Sequence, residues 1–203
     1  APNIQYSMFM GGTPGGFGLI QRARNYHHYE DLNANYEKRP STWVQPLNDW
    51  GNGSVDLIEI PTNGEFDDNI VAFWRPEKPL EPGQSYNYRY RLTWAADIPV
   101  KQDVARVVQT RSGKGIKPGG RFLVVDFAGG QVYADADEET WDFQVTASAG
   151  YIKAYTVGPN TVIDGKRVGI EYYPDGDKVA DLKFQINSFG KPLTERWVYR
   201  WTP

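Results

Sequence analysis

Residues 122–127 (FLVVDF), 141–147 (WDFQVTA), 151–157 (YIKAYTV), 167–173 (RVGIEYY), 180–186 (ADLKFQI) and 196–201 (RWVYRW) decide the fold. Each is short and rich in β-branched and aromatic residues, and turn signals separate them. Asp164-Gly165 and Asp175-Gly176 supply hairpin turns, because Gly takes positive φ without steric cost. Six short strands in so small a space, with no helical period between them, predict an immunoglobulin-like β-sandwich over residues 120–203. Only the architecture is implied, since the chain has no cysteine to form the disulfide of antibody domains.

Strand signals continue upstream. Residues 4–10 read as a strand, and so do residues 55–60, which lie between Asn52-Gly53 and Pro61-Thr62-Asn63-Gly64. Residues 69–74 form a continuous apolar run, the pattern of a strand buried on both faces. Tyr86, Tyr88, Tyr90, Leu92 and Trp94 alternate with Asn87, Arg89, Arg91 and Thr93, giving one aromatic and one polar, cationic face. A short helix is expected between Asn25 and Tyr36, where Tyr29, Leu32 and Tyr36 fall at helical spacing before Pro40. Residues 95–120 carry Pro99, Gly113, Gly115, Pro118, Gly119 and Gly120 among Arg106, Arg111, Lys114 and Lys117, and read as a mobile basic loop running into a linker. The fold class is therefore all-β. Residues 1–112 are expected to be the last part of a larger β-sandwich, residues 113–119 a linker, and residues 120–203 the immunoglobulin-like domain.

Composition narrows the chemistry. The 203 residues are 40% hydrophobic and 14% aromatic, with a formal net charge of -3. No clustered excess of Lys and Arg marks a general nucleic-acid binder. No stretch is long and apolar enough to read as a membrane-spanning helix. Without cysteine there is no thiolate metal site and no cysteine nucleophile. Ala1-Pro2-Asn3 does not open a signal peptide, and a strand beginning at Ile4 points to a mature form or a fragment, of which we favour the fragment.

Several motifs have plain readings. In residues 11–18 (GGTPGGFG), Phe17-Gly18 stands where a phosphate loop would need its lysine, so the stretch is a turn. His27 and His28 are neighbours and point apart, which makes a poor metal pair. No serine sits in a nucleophile elbow. Asp135, Asp137, Glu138 and Glu139 lack the glycine and long loop of a calcium hand and read as a solvated turn.

The segment Glu65-Phe66-Asp67-Asp68-Asn69 crowds three carboxylates at the start of an apolar strand. One reading is a polar turn capping that strand. The other is a general acid, because lost solvation and nearby like charges raise a carboxyl pKa. Tyr36, Trp43, Trp50, Phe73, Trp74 and Arg39 lie close in sequence and fit a carbohydrate cleft, in which sugar rings stack on aromatic faces. They equally fit a β-sandwich core.

Residues 15–46, 49–79 and 83–94, with VVQTRSG at 107–113, resemble the periplasmic glucan biosynthesis proteins OpgG and OpgD (MdoG and MdoD). The resemblance implies a periplasmic location and a β-glucan polysaccharide as partner. Some members are inverting β-1,2-glucanases and others transfer glucan chains. It places the general acid at Asp68, which opens DNIVAFW. It places Tyr36, Arg39, Trp50 and Glu65 in the substrate cleft, with no cofactor and no metal. The general base of that family lies upstream of this chain, so the remaining N-terminal part of the protein is a further expected partner, and the chain alone is not expected to complete a catalytic cycle. A homodimer is a further partner the reading allows, and the alternatives to catalysis are a non-catalytic, glucan-binding or scaffold role in the same pathway and a purely structural β-sandwich module. Residues 104–119 are expected to act as a flap over the glucan.

Overall fold

The computed structural model describes residues 3–64, 66–97, 99, 103–134 and 136–203. The chain divides into two compact units, Ala1–Lys101 and Gln102–Pro203. Both are built from antiparallel strands, as the sequence patterns predict.

The first unit holds β1 (Gln5–Gly11), β2 (Phe17–Leu19), β3 (Ser41–Pro46), β4 (Gly53–Glu59), β5 (Ile70–Pro76) and β6 (Tyr90–Ala95). They form two three-stranded sheets, ordered β1-β4-β5 and β2-β3-β6. The strand expected to be buried on both faces is instead an edge strand: β5 pairs only with β4, and Ile70 and Phe73 are exposed. A continuous apolar run shows that a strand can be buried on both faces, but neighbours must supply the cover. Here Val71, Ala72 and Trp74 are half-buried, with Trp74 packed on Trp50, while no described residue buries Ile70 and Phe73. The alternating segment before Trp94 is a strand only from Tyr90, and its aromatic face is open to solvent. The expected helix is absent. Residues 25–39 carry two single 3-10 turns, Tyr26–His28 and Tyr36–Lys38, with Asn25 capping the first. Asn35 sits in a left-handed conformation (φ 49°) just before the second turn, so no helix runs through it.

The second unit holds β7 (Arg106–Lys114), β8 (Arg121–Ala128), β9 (Trp141–Ala147), β10 (Tyr151–Asn160), β11 (Gly165–Tyr173), β12 (Ala180–Ser188), β13 (Lys191–Pro192) and β14 (Trp197–Trp201). One sheet has the order β10-β11-β8-β7; in the other, β12 pairs with β9 and with β13 and β14. Leaving aside the two-residue β13, strands one, two, five and four share one sheet and three, six and seven the other. That is the strand arrangement of a constant-type immunoglobulin sandwich. Period-two alternation builds its core. Leu123, Val125 and Phe127 of β8, Val168, Ile170 and Tyr172 of β11, and Leu182, Phe184 and Ile186 of β12 are all buried in one cluster, closed by Trp197 and Trp201.

The segment expected to be a loop and linker is largely the strand β7, paired with β8 along its length. It belongs to the second unit, so the division falls between residues 101 and 102 and not at residues 113–119. Its inward positions offer hydroxyls instead of apolar groups: Trp197 Nε1 donates to Thr110 Oγ1 at 3.0 Å. A bulge between Val107 and Gln109 also shifts the alternation by one residue. Just before β7, Ala105 bridges to Thr194 beside the other sheet, and Glu195 accepts from Val107 N at 2.6 Å. One segment thus ties the two sheets together.

The acidic stretch is more than a solvated turn. The buried ammonium of Lys166 donates to the carbonyls of Ala134 and Ala136 and to Glu138 (2.5 Å), and lies 5.4 Å from the Trp141 ring. A single lysine thereby organises the loop between β8 and β9. Asp135 lies outside the described residues.

On the outer face of β8, buried Asp126 accepts two hydrogen bonds from Arg167 (2.7 and 2.8 Å) and one from Asn160. The Arg167 bonds are the main cause holding its carboxyl below the ordinary carboxylate range, against the opposing effect of burial. A pKa lowered by folding contributes stability that is present above the unfolded value of about 3.9 and lost as pH falls through the folded value. Urea midpoints should therefore fall as pH drops below about 4. Asp126→Asn should flatten that acid limb; an unchanged limb would show that Asp126 does not govern it.

Candidate functional site

The hairpin loop between β4 and β5 sorts its carboxylates. Ile60 N donates to Asn69 O at 2.8 Å and closes the loop. Inside it, Thr62 Oγ1 donates to Asp67 Oδ2 at 2.7 Å and accepts from Gly64 N at 3.0 Å. Asp67 packs so closely on Gly64 that a Cβ there would lie 2.6 Å from its oxygen. Asp67 is thus used in shaping the turn. Asp68 is exposed at the foot of β5 and, among the described residues, has no side-chain hydrogen-bond or ion-pair partner. The expectation that this carboxylate loses solvation at a buried strand is not met within the chain, because both it and Ile70 face solvent. Glu65 lies outside the described residues.

Tyr36 and Arg39 come together. The Arg39 guanidinium lies 5.4 Å from the Tyr36 ring centroid, and Tyr29 packs at 6.0 Å on the same tyrosine. Two residues that pattern reading does not single out hold this turn in place. Gln21 donates from Nε2 to the Tyr36 carbonyl, and Arg24 donates to the carbonyls of Arg39 and Ala96 and to Ser41 Oγ. Their signal in the sequence is weak: both are polar residues in an irregular stretch that end up half-buried, where backbone carbonyls need donors.

Trp50 has a different setting. Its ring contacts Phe17, Trp74, Tyr88 and Tyr90 at centroid distances of 5.5–6.4 Å, so it packs against aromatics attached to both sheets of the first unit. Its indole donates to Asn48 Oδ1 at 3.1 Å, and its backbone N donates to Thr13 Oγ1 at 2.7 Å. The same Thr13 hydroxyl donates to Asp49, which together with Gly51 N lowers the Asp49 pKa. Trp50 is therefore a packing hub, as the alternative reading of the aromatics allowed. Nearby, Gly16, Phe17, Trp43, Val55, Leu57 and Trp74 help to line a cleft of about 480 Å³, with the Nε1 donors of Trp43 and Trp74 buried and, among the described residues, unpaired.

One charged centre was not anticipated. Asp56, at the middle of β4, is fully buried. It accepts from Tyr6 Oη on β1, from Ser54 Oγ at 2.5 Å and from Arg75 Nε on β5 at 2.9 Å. A carboxylate mid-strand is costly to bury, and here both neighbouring strands supply its donors. His27 and His28 are exposed, and among the described residues no group of three or more acidic or imidazole side chains could hold a metal.

An all-β chain with an immunoglobulin-type unit, preceded by a unit carrying a free strand-end carboxylate and an aromatic cluster, is the class this geometry defines. Residues 1–201 match the family described as periplasmic glucan biosynthesis protein, MdoG. The chain is 39% identical over 209 residues to "Probable glucans biosynthesis protein D" of Shewanella oneidensis, covering 99% of this chain and 39% of that protein. It is 41% identical over 202 residues to "Glucans biosynthesis protein G" of Shewanella putrefaciens, covering 98% and 37%. It is 40% identical over 212 residues to "Glucans biosynthesis protein D" of Xanthomonas axonopodis pv. citri, covering 100% and 40%. The chain belongs to the MdoG family and spans about two fifths of the length of these curated relatives.

The Asp56 centre generates a measurable signature. The hydrogen bond to Asp56 is the main cause that raises the Tyr6 phenol above its ordinary range near 10, and partial burial adds to it. Asp56→Asn should bring the Tyr6 titration back down, followed by NMR of ring-labelled tyrosine against a Tyr6→Phe control. An unmoved titration would show that the bond to Asp56 is not its cause.

Proposed function

We propose that the protein containing this chain acts in the periplasm on β-1,2-glucan, as an inverting glycoside hydrolase or a transglycosylase, with Asp68 as general acid. The observation carrying this reading is the division of labour in the β4–β5 loop, where Asp67 is tied to Thr62 while Asp68 is exposed and, among the described residues, without a side-chain partner. An acid must reach the leaving oxygen with its proton, so a carboxylate already used in a turn is a poor candidate and a free one at a strand end is a good one. Asp68 is solvated in the chain itself, so in this reading glucan and the rest of the protein would close over it. Tyr36, with its ring flanked by Arg39 and Tyr29, would offer a sugar-stacking face, and Glu65 and Trp50 would line or support the cleft. Family membership supports the glucan pathway and the periplasm.

An inverting mechanism needs a second carboxyl group roughly 6.5–9.5 Å from the acid, with room for water between them. In this reading that base belongs to the part of the protein upstream of residue 1. The second reading is a non-catalytic glucan-binding or scaffold protein. It is favoured by the open aromatic face of Tyr86, Tyr88, Tyr90 and Trp94.

Asp68→Asn in the full-length protein should cut reducing-end release from linear β-1,2-glucan by about 10²–10⁴-fold without changing the thermal melt. Activity within about threefold of wild type would exclude Asp68 as the acid, since loss of a general acid costs far more. No cleavage by the wild-type protein, with glucan still bound, would favour the second reading.

A further inference from the structure

On the second unit, Tyr151 opens the edge strand β10 directly opposite Tyr173 of β11. The two rings are stacked, with centroids 5.2 Å apart and planes 8° from parallel. Tyr151 is 57% exposed, so much of its ring remains open to solvent beyond the stack. Around the rings lies a polar frame. Tyr173 Oη and Lys153 Nζ both donate to Glu171 Oε1, at 2.9 and 3.2 Å, and Lys153 Nζ also lies 5.6 Å from the Tyr173 ring centroid. Glu171 is 7% exposed, and the bond from Tyr173, then that from Lys153, holds its carboxyl below the ordinary range.

The support is rigid. Gly150 has φ +70°, and a Cβ there would stand 2.2 Å from the Tyr173 carbonyl oxygen, so glycine is required for the chain to bring Tyr151 over Tyr173. One residue earlier, the Ala149 carbonyl accepts from Tyr172 Oη at 3.0 Å, and the Tyr172 ring is buried in the core. A cross-strand aromatic pair alone would stabilise the sheet edge. It needs no buried carboxylate beneath it, and such a group costs desolvation that the fold does not require. A flat, preorganised ring bordered by a half-exposed ammonium, which the buried Glu171 carboxylate holds in place, is instead an arrangement that suits a pyranose, with its C–H face on the ring and a hydroxyl on Lys153.

We propose that Tyr151, supported by Tyr173, Lys153 and Glu171, forms a saccharide-binding platform on the immunoglobulin-type unit that takes hexose units of the glucan. The proposal rests on the glucan reading above for its ligand class. The platform would add a second point of attachment to the same polymer and raise its residence by effective concentration.

The test is binding of linear β-1,2-glucan oligosaccharides to the 203-residue chain, measured by NMR titration. Tyr151→Ala should weaken binding by about 3–10-fold. Tyr151→Trp should keep or strengthen it, and Phe189→Ala, which truncates another exposed ring, should leave it unchanged. Melting temperatures of the Tyr151 variants report folding separately. Binding by Tyr151→Ala within about 1.5-fold of wild type would overturn the platform and leave the Asp68 assignment standing. Equal weakening by Phe189→Ala, or no saccharide binding by the wild-type chain, would also overturn it. Tyr151-dependent binding together with an unaffected Asp68→Asn enzyme would keep the platform and remove the acid assignment.

Discussion

Burial of alternate side chains between two sheets is the constraint on which the second unit depends. In β8, β11 and β12 every second residue enters one shared core, and each large apolar side chain fully buried there contributes about 1.5–3 kcal/mol. Because the side-chain period is two, a slip of one residue would turn that whole set to solvent. The pairing of β11 with β8, from Gly165↔Ala128 to Tyr172↔Arg121, is therefore held in register by the core beneath it. Outward-facing groups follow from the same register. Arg167 meets Asp126 because those residues are paired, and Tyr151 meets Tyr173 for the same reason.

The first unit is organised differently. All the buried hydrophobic residues of the described chain lie in the second unit, while the buried groups of the first are Ser41, Ser54 and Asp56. Its cohesion comes from the aromatic contacts of Trp50 and from polar centres in which donors converge on one acceptor. Asp56 gathers Tyr6, Ser54 and Arg75 from three adjacent strands. Around Tyr36 and Arg39 the arrangement is the reverse: Arg24 donates to several acceptors, the Arg39 and Ala96 carbonyls and Ser41 Oγ, and Gln21 donates to the Tyr36 carbonyl. Such centres fix geometry strongly, because a buried polar group left unpaired is expensive.

Much of this was legible in the chain, and the failures have physical causes. The strand at 141–147 was bounded correctly because its apolar positions alternate without interruption. The strand β7 was missed because its inward residues are Thr110 and Ser112, and because a bulge breaks the alternation that a reader counts. Helical spacing at Tyr29, Leu32 and Tyr36 misled because short apolar periodicity cannot register the left-handed turn at Asn35. At the candidate site, the cluster of carboxylates was visible, and so was the resemblance that singled out Asp68. That Asp67 folds back on Thr62 while Asp68 stays free was not visible, since both are aspartates beside the same strand.

By itself the sequence determined the all-β class, the positions of most strands and the family, because alternation, turn residues and long motif matches are local and additive. Tertiary structure alone decided where β7 belongs, that Lys166 organises an acidic loop, that Asp56 is a buried junction and that Tyr151 lies flat on Tyr173. Those outcomes depend on which distant strands become neighbours. Strand pairing brings together residues tens of positions apart, such as Tyr6 and Asp56, and no local pattern records the distance between them.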